Sequence, residues 1–378
     1  MDLVATMLDG ILLGGLYALF SSGLSLIFGV MRLVNIAHGD LIVLSAFIAL
    51  SSRLLSTAVN DGKPYSQWTN ARSGCDLGDC NEPVLLENRM INREFALRSK
   101  FMHHLLLILA LSALRANAAE RWEVLPPTPA PIHSERSGQA NANGIRIHYA
   151  VYGQGSPVIL LHGGLANAEY WGNQIKALAP YHTVIVMDSR GHGRSTRDSR
   201  PYGYDLMADD VVALMDVLKV AKAAIVGWSD GAILGLDLAM RHPDRVDEIF
   251  AFAANTVTSG VKAGVEKNPT FAAFIERAGH EYEAYSATPK QYDVFVAQIS
   301  KMWASQPNWT DAQLKAITAP VLVVDGDHDE AIKREHTDYI ASTIPRAGLL
   351  ILPNASHFAF LQDPELFNYA VLHFLGDR

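Results

Sequence analysis

The strongest constraint on this chain is how its second half alternates short apolar runs with longer amphipathic ones. Residues 145–152 alternate apolar and polar side chains like a half-buried strand. Residues 157–161 form a continuous apolar run that stops at His162-Gly163-Gly164. Another, 183–187, stops at Asp188-Ser189-Arg190-Gly191-His192-Gly193-Arg194-Ser195. Further apolar runs lie at 223–226, 248–254, 320–324 and 349–352, with helical periodicity at 171–179, 205–220 and 232–241. Short apolar strands separated by helices imply an α/β fold, a mainly parallel sheet covered by helices on both faces. Ligands bind outside the carboxyl ends of the strands in such sheets, so the residues just after each apolar run are where chemistry is expected.

The run at 223–226 leads into Gly227-Trp228-Ser229-Asp230-Gly231, a G-x-S-x-G that joins a strand to a helix. Glycines at both ends allow a tight turn that projects Ser229 from the sheet edge. The turn also sets Ser229 at a helix N-terminus, which favours developing negative charge. A serine hydroxyl is a poor nucleophile until a base takes its proton. Asp325-Gly326-Asp327-His328-Asp329 follows one later apolar run, and Asn354-Ala355-Ser356-His357 follows the last. That supplies serine, acid and histidine in the chain order this kind of sheet uses. His357 is therefore assigned as the base and Asp329 as the acid that orients it, with Asp327 and Asp325 as alternatives. An oxyanion hole needs two backbone N–H groups, expected from Asp230 and Gly164. Leu165 and Trp228, beside these positions, are expected to line the substrate pocket together with the Asp230 side chain.

Through these motifs residues 145–378 resemble the α/β-hydrolase family: His162-Gly163-Gly164, the Asp188–Ser195 motif, the elbow, Gly326-Asp327-His328-Asp329 and Ser356-His357. The resemblance implies a metal-independent serine hydrolase with no cofactor. It favours Asp329, three residues after Gly326, as the acid. Ser229 stands where a dehalogenase or epoxide hydrolase would carry an aspartate. Residues 256–318 interrupt the strand pattern with a helical, aromatic-rich stretch (Phe271, Phe274, Tyr282, Tyr285, Tyr292, Phe295, Trp303) that looks like the family's cap. Trp228-Ser229-Asp230-Gly231 is similar to the valacyclovir-hydrolase, or biphenyl-hydrolase-like, branch, although Ala232 replaces a glycine common there. In that branch the acid after the nucleophile faces the amino group of an α-amino ester. The implied activity is hydrolysis of a small or medium carboxylic ester through an acyl-enzyme. C–C bond hydrolysis, lactone hydrolysis and peroxidase-like chemistry use the same triad.

The first third of the chain has a different character. Residues 10–31 carry no charge, and as a helix they would span ~33 Å, enough for a bilayer core. Gly14-Gly15-Leu16-Tyr17-Ala18-Leu19, residues 24–31 and Asn35-Ile36-Ala37-His38-Gly39-Asp40 resemble the start of a branched-chain amino-acid ABC transporter permease. A membrane or transport-associated protein is thus the competing class, although too few apolar segments follow to enclose a translocation path. Residues 90–118 then show a basic run, an apolar core at 105–114 and Ala116-Asn117-Ala118, the three parts of a secretory signal peptide. Arg32, Arg53, Lys63, Arg72, Arg89, Arg93, Arg98 and Lys100 lie between the first and last apolar segments, which puts that stretch in the cytoplasm and the chain after Ala118 outside. The expected organisation is a permease-like fragment at 1–55, a connector at 56–89, a signal-like segment at 90–118, a Pro-rich linker at 119–144 and a hydrolase domain at 145–378 with its cap at 256–318. The catalytic part is expected in the periplasm or secreted, and membrane-anchored if residues 10–50 are retained.

Charge and cysteine usage narrow the partners. The net charge is −8, and residues 1–118 balance nine basic against nine acidic residues, so the excess lies wholly downstream. Nucleic acid is not an expected partner. The two cysteines, Cys75 and Cys80, leave the catalytic part without a disulfide or thiolate metal site.

Overall fold

The computed structural model describes residues 119–376. The permease-like fragment, the connector with both cysteines and the signal-like segment lie outside the described residues. Among the described residues no helix is long and apolar enough to cross a membrane.

Eight strands form one sheet: β1 (Arg136–Ala142), β2 (Ile145–Tyr152), β3 (Ser156–Leu161), β4 (His182–Met187), β5 (Ala223–Trp228), β6 (Val246–Phe252), β7 (Val321–Gly326) and β8 (Ala347–Leu352). Their order is β1-β2-β4-β3-β5-β6-β7-β8. β2 runs antiparallel to both β1 and β4, and all other neighbours are parallel. Every residue of β5 is buried, as expected of a strand covered on both faces. β8 is an edge strand and leaves Leu349 exposed.

The helices are α1 (Gly172–Leu178), α2 (Tyr204–Leu218), α3 (Asp230–Arg241), α4 (Pro269–Tyr285), α5 (Tyr292–Trp303), α6 (Asp311–Lys315), α7 (Arg334–Thr343), α8 (Ala359–Gln362) and α9 (Pro364–Phe374). Residues 230–239 of α3 are all buried, which makes it the core helix behind the turn at Ser229. α4, α5 and α6 fall within 256–318, where a helical cap was expected.

The stretch 119–144 is not a plain linker. β1 lies inside it and pairs with β2 along its whole length, from Arg136↔Val151 to Ala142↔Ile145. Asn143 and Gly144 turn the hairpin with φ of 47° and 79°, the doubly left-handed turn that Asn-Gly favours. β1 lacked a visible apolar pattern because only Ala140 and Ala142 face the core.

The chain leaves β3 toward β4 on one side and returns to β5 on the other. The strand order therefore reverses beside the carboxyl ends of β3 and β5, the position where open α/β sheets hold their ligands.

Candidate active site

Leu161 pairs with Gly227, so the loop after β3 and the turn after β5 leave the sheet side by side. Ser229 occupies that turn with φ 54° and ψ −119°, a conformation that costs a non-glycine residue about 1–3 kcal/mol. The surroundings enforce it. A Cβ at Gly231 would stand 1.9 Å from the Leu161 carbonyl oxygen, and one at Gly227 would stand 2.4 Å from the Gly231 carbonyl oxygen. Ser229 N–H donates to the Phe252 carbonyl at 2.9 Å, which locks the turn to β6.

Of the three candidate acids, Asp329 is the one that reaches His357. Its Oδ2 lies 2.7 Å from His357 Nδ1, and its Oδ1 accepts the amides of Ala331 and Ile332, each at 2.6 Å. Burial alone would raise the Asp329 pKa, but His357 and these donors bring it below the ordinary carboxylate value. Burial likewise works against a charged His357, yet the facing carboxylate outweighs it and the imidazole pKa ends up raised. Asp327 turns away and accepts the Ala355 amide at 3.1 Å. Asp325 accepts the Thr337 hydroxyl at 2.6 Å, and burial together with the Asp329 charge drives its pKa well up. Asp325 is thus held by the Thr337 hydroxyl and the Gly326 amide rather than by His357. Glu330, which the sequence did not single out, accepts the His357 backbone N–H at 2.9 Å.

The glycine loop sits against the nucleophile turn. A Cβ on Gly163 would lie 3.1 Å from the Ser229 Cβ. His162 Nε2 accepts the Ser189 amide at 2.9 Å, and its Nδ1 contacts the Gly163 carbonyl at 2.8 Å. Because Nε2 accepts an amide, Nδ1 carries the ring proton and donates to that carbonyl, and burial lowers the pKa of this brace. The Asp188–Ser195 motif is a second brace. Asp188 accepts the amides of Ala168 and Arg194 at 2.8 and 2.7 Å, and Arg190 is paired with Asp210 at 2.5 Å in the interior.

Ser229 and His357 open on one cavity of about 660 Å³, also lined by Gly164, Leu165, Trp228 and Asp230. The cap contributes Phe271, Phe274 and Ile275 from α4 and Val296 and Trp303 from α5. All the residues expected to bind substrate therefore meet in one place. Asp230 is buried, and its carboxylate is held by neutral donors: the Tyr204 hydroxyl at 2.8 Å and the Trp303 indole N–H at 2.9 Å. Burial raises its pKa, and those donors only partly offset the effect. Tyr204 and Trp303 also line the cavity, and sequence spacing could not pair them with Asp230. Among the described residues no cluster of His, Cys, Asp and Glu is arranged to hold a metal ion.

A profile of the alpha/beta hydrolase family matches residues 158–370, more than half of the chain. RutD of Caulobacter vibrioides, described as a putative carbamate hydrolase, is 31% identical over 259 residues, covering 61% of this chain and 95% of its own. The human serine hydrolase BPHL is 30% identical over 272 residues, covering 65% and 92%. Among solved structures, a meta-cleavage product hydrolase from Pseudomonas fluorescens superposes with a TM-score of 0.58 at 26% identity, covering 64% of this chain and 97% of that one. An enol-lactonase from Burkholderia xenovorans gives 0.52 at 26% identity, covering 63% and 100%.

Proposed function

The chain belongs to the alpha/beta hydrolase family, and we propose that within it the protein is a serine hydrolase that cleaves a small or medium carboxylic ester through an acyl-enzyme. The observation that carries this reading is the strained turn at Ser229, opening on the same cavity as a His357 already bonded to Asp329. His357 Nε2 takes the Ser229 proton as Oγ attacks the ester carbonyl. The N–H groups of Gly164 and Asp230 stabilise the oxyanion, and Asp329 steadies the imidazolium. Collapse expels the alcohol, protonated by His357. Water, activated by the same histidine, then releases the acid.

The substrate we favour is an α-amino ester. Asp230 follows Ser229 directly and lines the cavity, with only neutral hydrogen-bond donors on it. A substrate ammonium would supply the missing cation, in a setting where exclusion of water strengthens the attraction. A neutral lactone or a C–C bond substrate gives Asp230 nothing to pair with. A panel of p-nitrophenyl and amino-acid benzyl esters of graded length tests both levels. Turnover of esters with preference for those bearing an α-ammonium is expected. Turnover confined to lactones or to C–C substrates would overturn the ester reading.

We also propose that the catalytic part works outside the cytoplasm, on the strength of the signal-like residues 90–118. Intact-mass analysis of protein recovered from the periplasm or medium should give a chain beginning at Ala119. Recovery only from the cytoplasm at full length would contradict it.

A further inference from the structure

Residues 120–131, with Pro126, Pro127, Pro129 and Pro131, have the composition of a tether but are not placed like one. They start at the two catalytic loops. The Trp122 ring stacks on His328, with centroids 3.9 Å apart and planes 7° from parallel, and His328 is the residue before Asp329. Gln362 joins the same segment to the other loop. Its Nε2 donates to the carbonyls of Val124 at 2.9 Å and Trp122 at 3.3 Å, and to Ser356 Oγ at 3.0 Å. Its Oε1 accepts the Ser356 amide at 2.8 Å, and Ser356 is the residue before His357.

The segment then crosses to the cap helix α4. The Thr270 hydroxyl donates to the Glu123 carbonyl at 3.0 Å, and Arg277 donates to the carbonyls of Pro126 at 2.6 Å and Leu125 at 3.3 Å. Thr128 closes the run by donating to Glu281 at 2.5 Å. A Pro-rich segment suits this position. Proline has no N–H to satisfy and a stiff backbone, so the segment can lie on a surface and offer mainly acceptors. The donors come from Gln362, Thr270 and Arg277. The same α4 carries Phe271, Phe274 and Ile275 into the cavity.

We infer that residues 120–131 are a strap that fixes the cap helix relative to Asp329 and His357, with Gln362 as a positioning residue for the base and Arg277 as the clamp on the cap. The strap touches no reacting atom. It acts by limiting two motions: drift of the Ser356-His357 loop, and lifting of α4 from the cavity it lines. The inference rests on the hydrolytic reading for its kinetic test alone.

That test uses the full chain with Gln362→Glu and Arg277→Met, each normalised to the fraction of sites labelled by a fluorophosphonate. Gln362→Glu keeps an acceptor for the Ser356 amide and loses the donation to the strap. It should lower kcat per labelled site by roughly 10–100-fold, the scale on which small misplacement of a catalytic group is felt, with KM little changed. It should also displace the acid limb of the pH–rate profile. Arg277→Met should instead raise KM for octanoyl esters several-fold and leave acetyl ester turnover within about twofold, because only the acyl pocket loosens. Amide hydrogen exchange should rise over 269–285 in Arg277→Met and over 353–362 in Gln362→Glu. Wild-type kinetics per labelled site in either variant, or equal per-site losses on acetyl and octanoyl esters in Arg277→Met, would overturn the strap. Absence of ester turnover and of serine labelling in the wild type would overturn the hydrolytic reading instead. The exchange measurement would then decide the strap alone: faster exchange in those two segments supports it, and unchanged exchange rejects it.

Discussion

The indole N–H of Trp303, at the end of cap helix α5, donates to the carboxylate of Asp230, the residue that follows the nucleophile, at 2.9 Å. The ring also covers the glycine loop, since a Cβ on Gly164 would stand 2.4 Å from Trp303 Cζ2. The cap is thus latched to the elbow through the group proposed to choose the substrate. Trp303→Phe keeps the ring and removes the donor. It should raise KM for neutral esters while weakening α-amino esters less, because a substrate ammonium replaces the lost donor. Steady-state kinetics on matched ester pairs will read this, and equal effects on both members of a pair would separate the latch from substrate choice.

Asp230→Asn removes the charge and keeps size and backbone. It should lower kcat/KM for α-amino esters about 10–100-fold, the equivalent of one charge-assisted hydrogen bond of roughly 1.5–3 kcal/mol. Neutral esters of the same length should change little. Equal losses on both sets would assign Asp230 to holding the turn.

Asp329→Asn should reduce kcat by roughly 10³–10⁴-fold, because the amide cannot stabilise the imidazolium and favours the wrong tautomer. Asp327→Asn should cost far less, since Asp327 accepts the Ala355 amide and stands 3.9 Å from His328 rather than meeting His357. If Asp327→Asn proves the more damaging, the acid has been misassigned.

The base must be neutral to accept a proton. The His357 pKa is raised above 6.5 by Asp329 against the opposing effect of burial. Activity should therefore fall on acidification, with the limb of kcat/KM above pH 6.5 in the wild type and displaced to lower pH in Asp329→Asn. A limb in the wild type below that of the variant would contradict the pairing.

Asp237 on α3 gives a separate pH effect on stability. Burial and the neighbouring carboxylates of Asp205 and Asp209 raise its pKa to about 7, while Arg241 Nε stands 3.9 Å away. A folded-state pKa above the unfolded one means the fold holds the proton more tightly. Its contribution is then fully present below the unfolded value near 3.9, and is lost as pH rises toward 7. Asp237→Asn should raise Tm at pH 8 and have little effect at pH 4.5. An equal shift at both values would show that charge on Asp237 is not what strains the helix.

The positions of Ser229 and His357 on one cavity were legible in the sequence because each is announced by its immediate neighbours, an apolar strand before and a glycine or loop after. The choice among Asp325, Asp327 and Asp329 was harder. All three lie within five residues at the end of β7, and only the backbone path decides which carboxylate faces His357. β1 escaped because its composition is polar, although Asn143-Gly144 carried the hairpin signal. The strap escaped for a different reason: its prolines speak of local stiffness, whereas its donors on Arg277 and Gln362 lie far along the chain. The cap's aromatic residues were visible as a group. The structure divides them into cavity walls, such as Phe271 and Trp303, and a packed cluster in which Tyr282 stacks on Phe295 at 5.1 Å.

The central claim is that Ser229 is the acylated nucleophile. The most direct measurement is intact-protein and peptide mass spectrometry after brief exposure to a slow ester or a fluorophosphonate, alongside turnover by Ser229→Ala. The adduct should appear on Ser229 alone, and the folded variant should carry no adduct and lose roughly 10³–10⁶-fold in turnover. An adduct on another residue, or undiminished turnover by Ser229→Ala, would contradict the account.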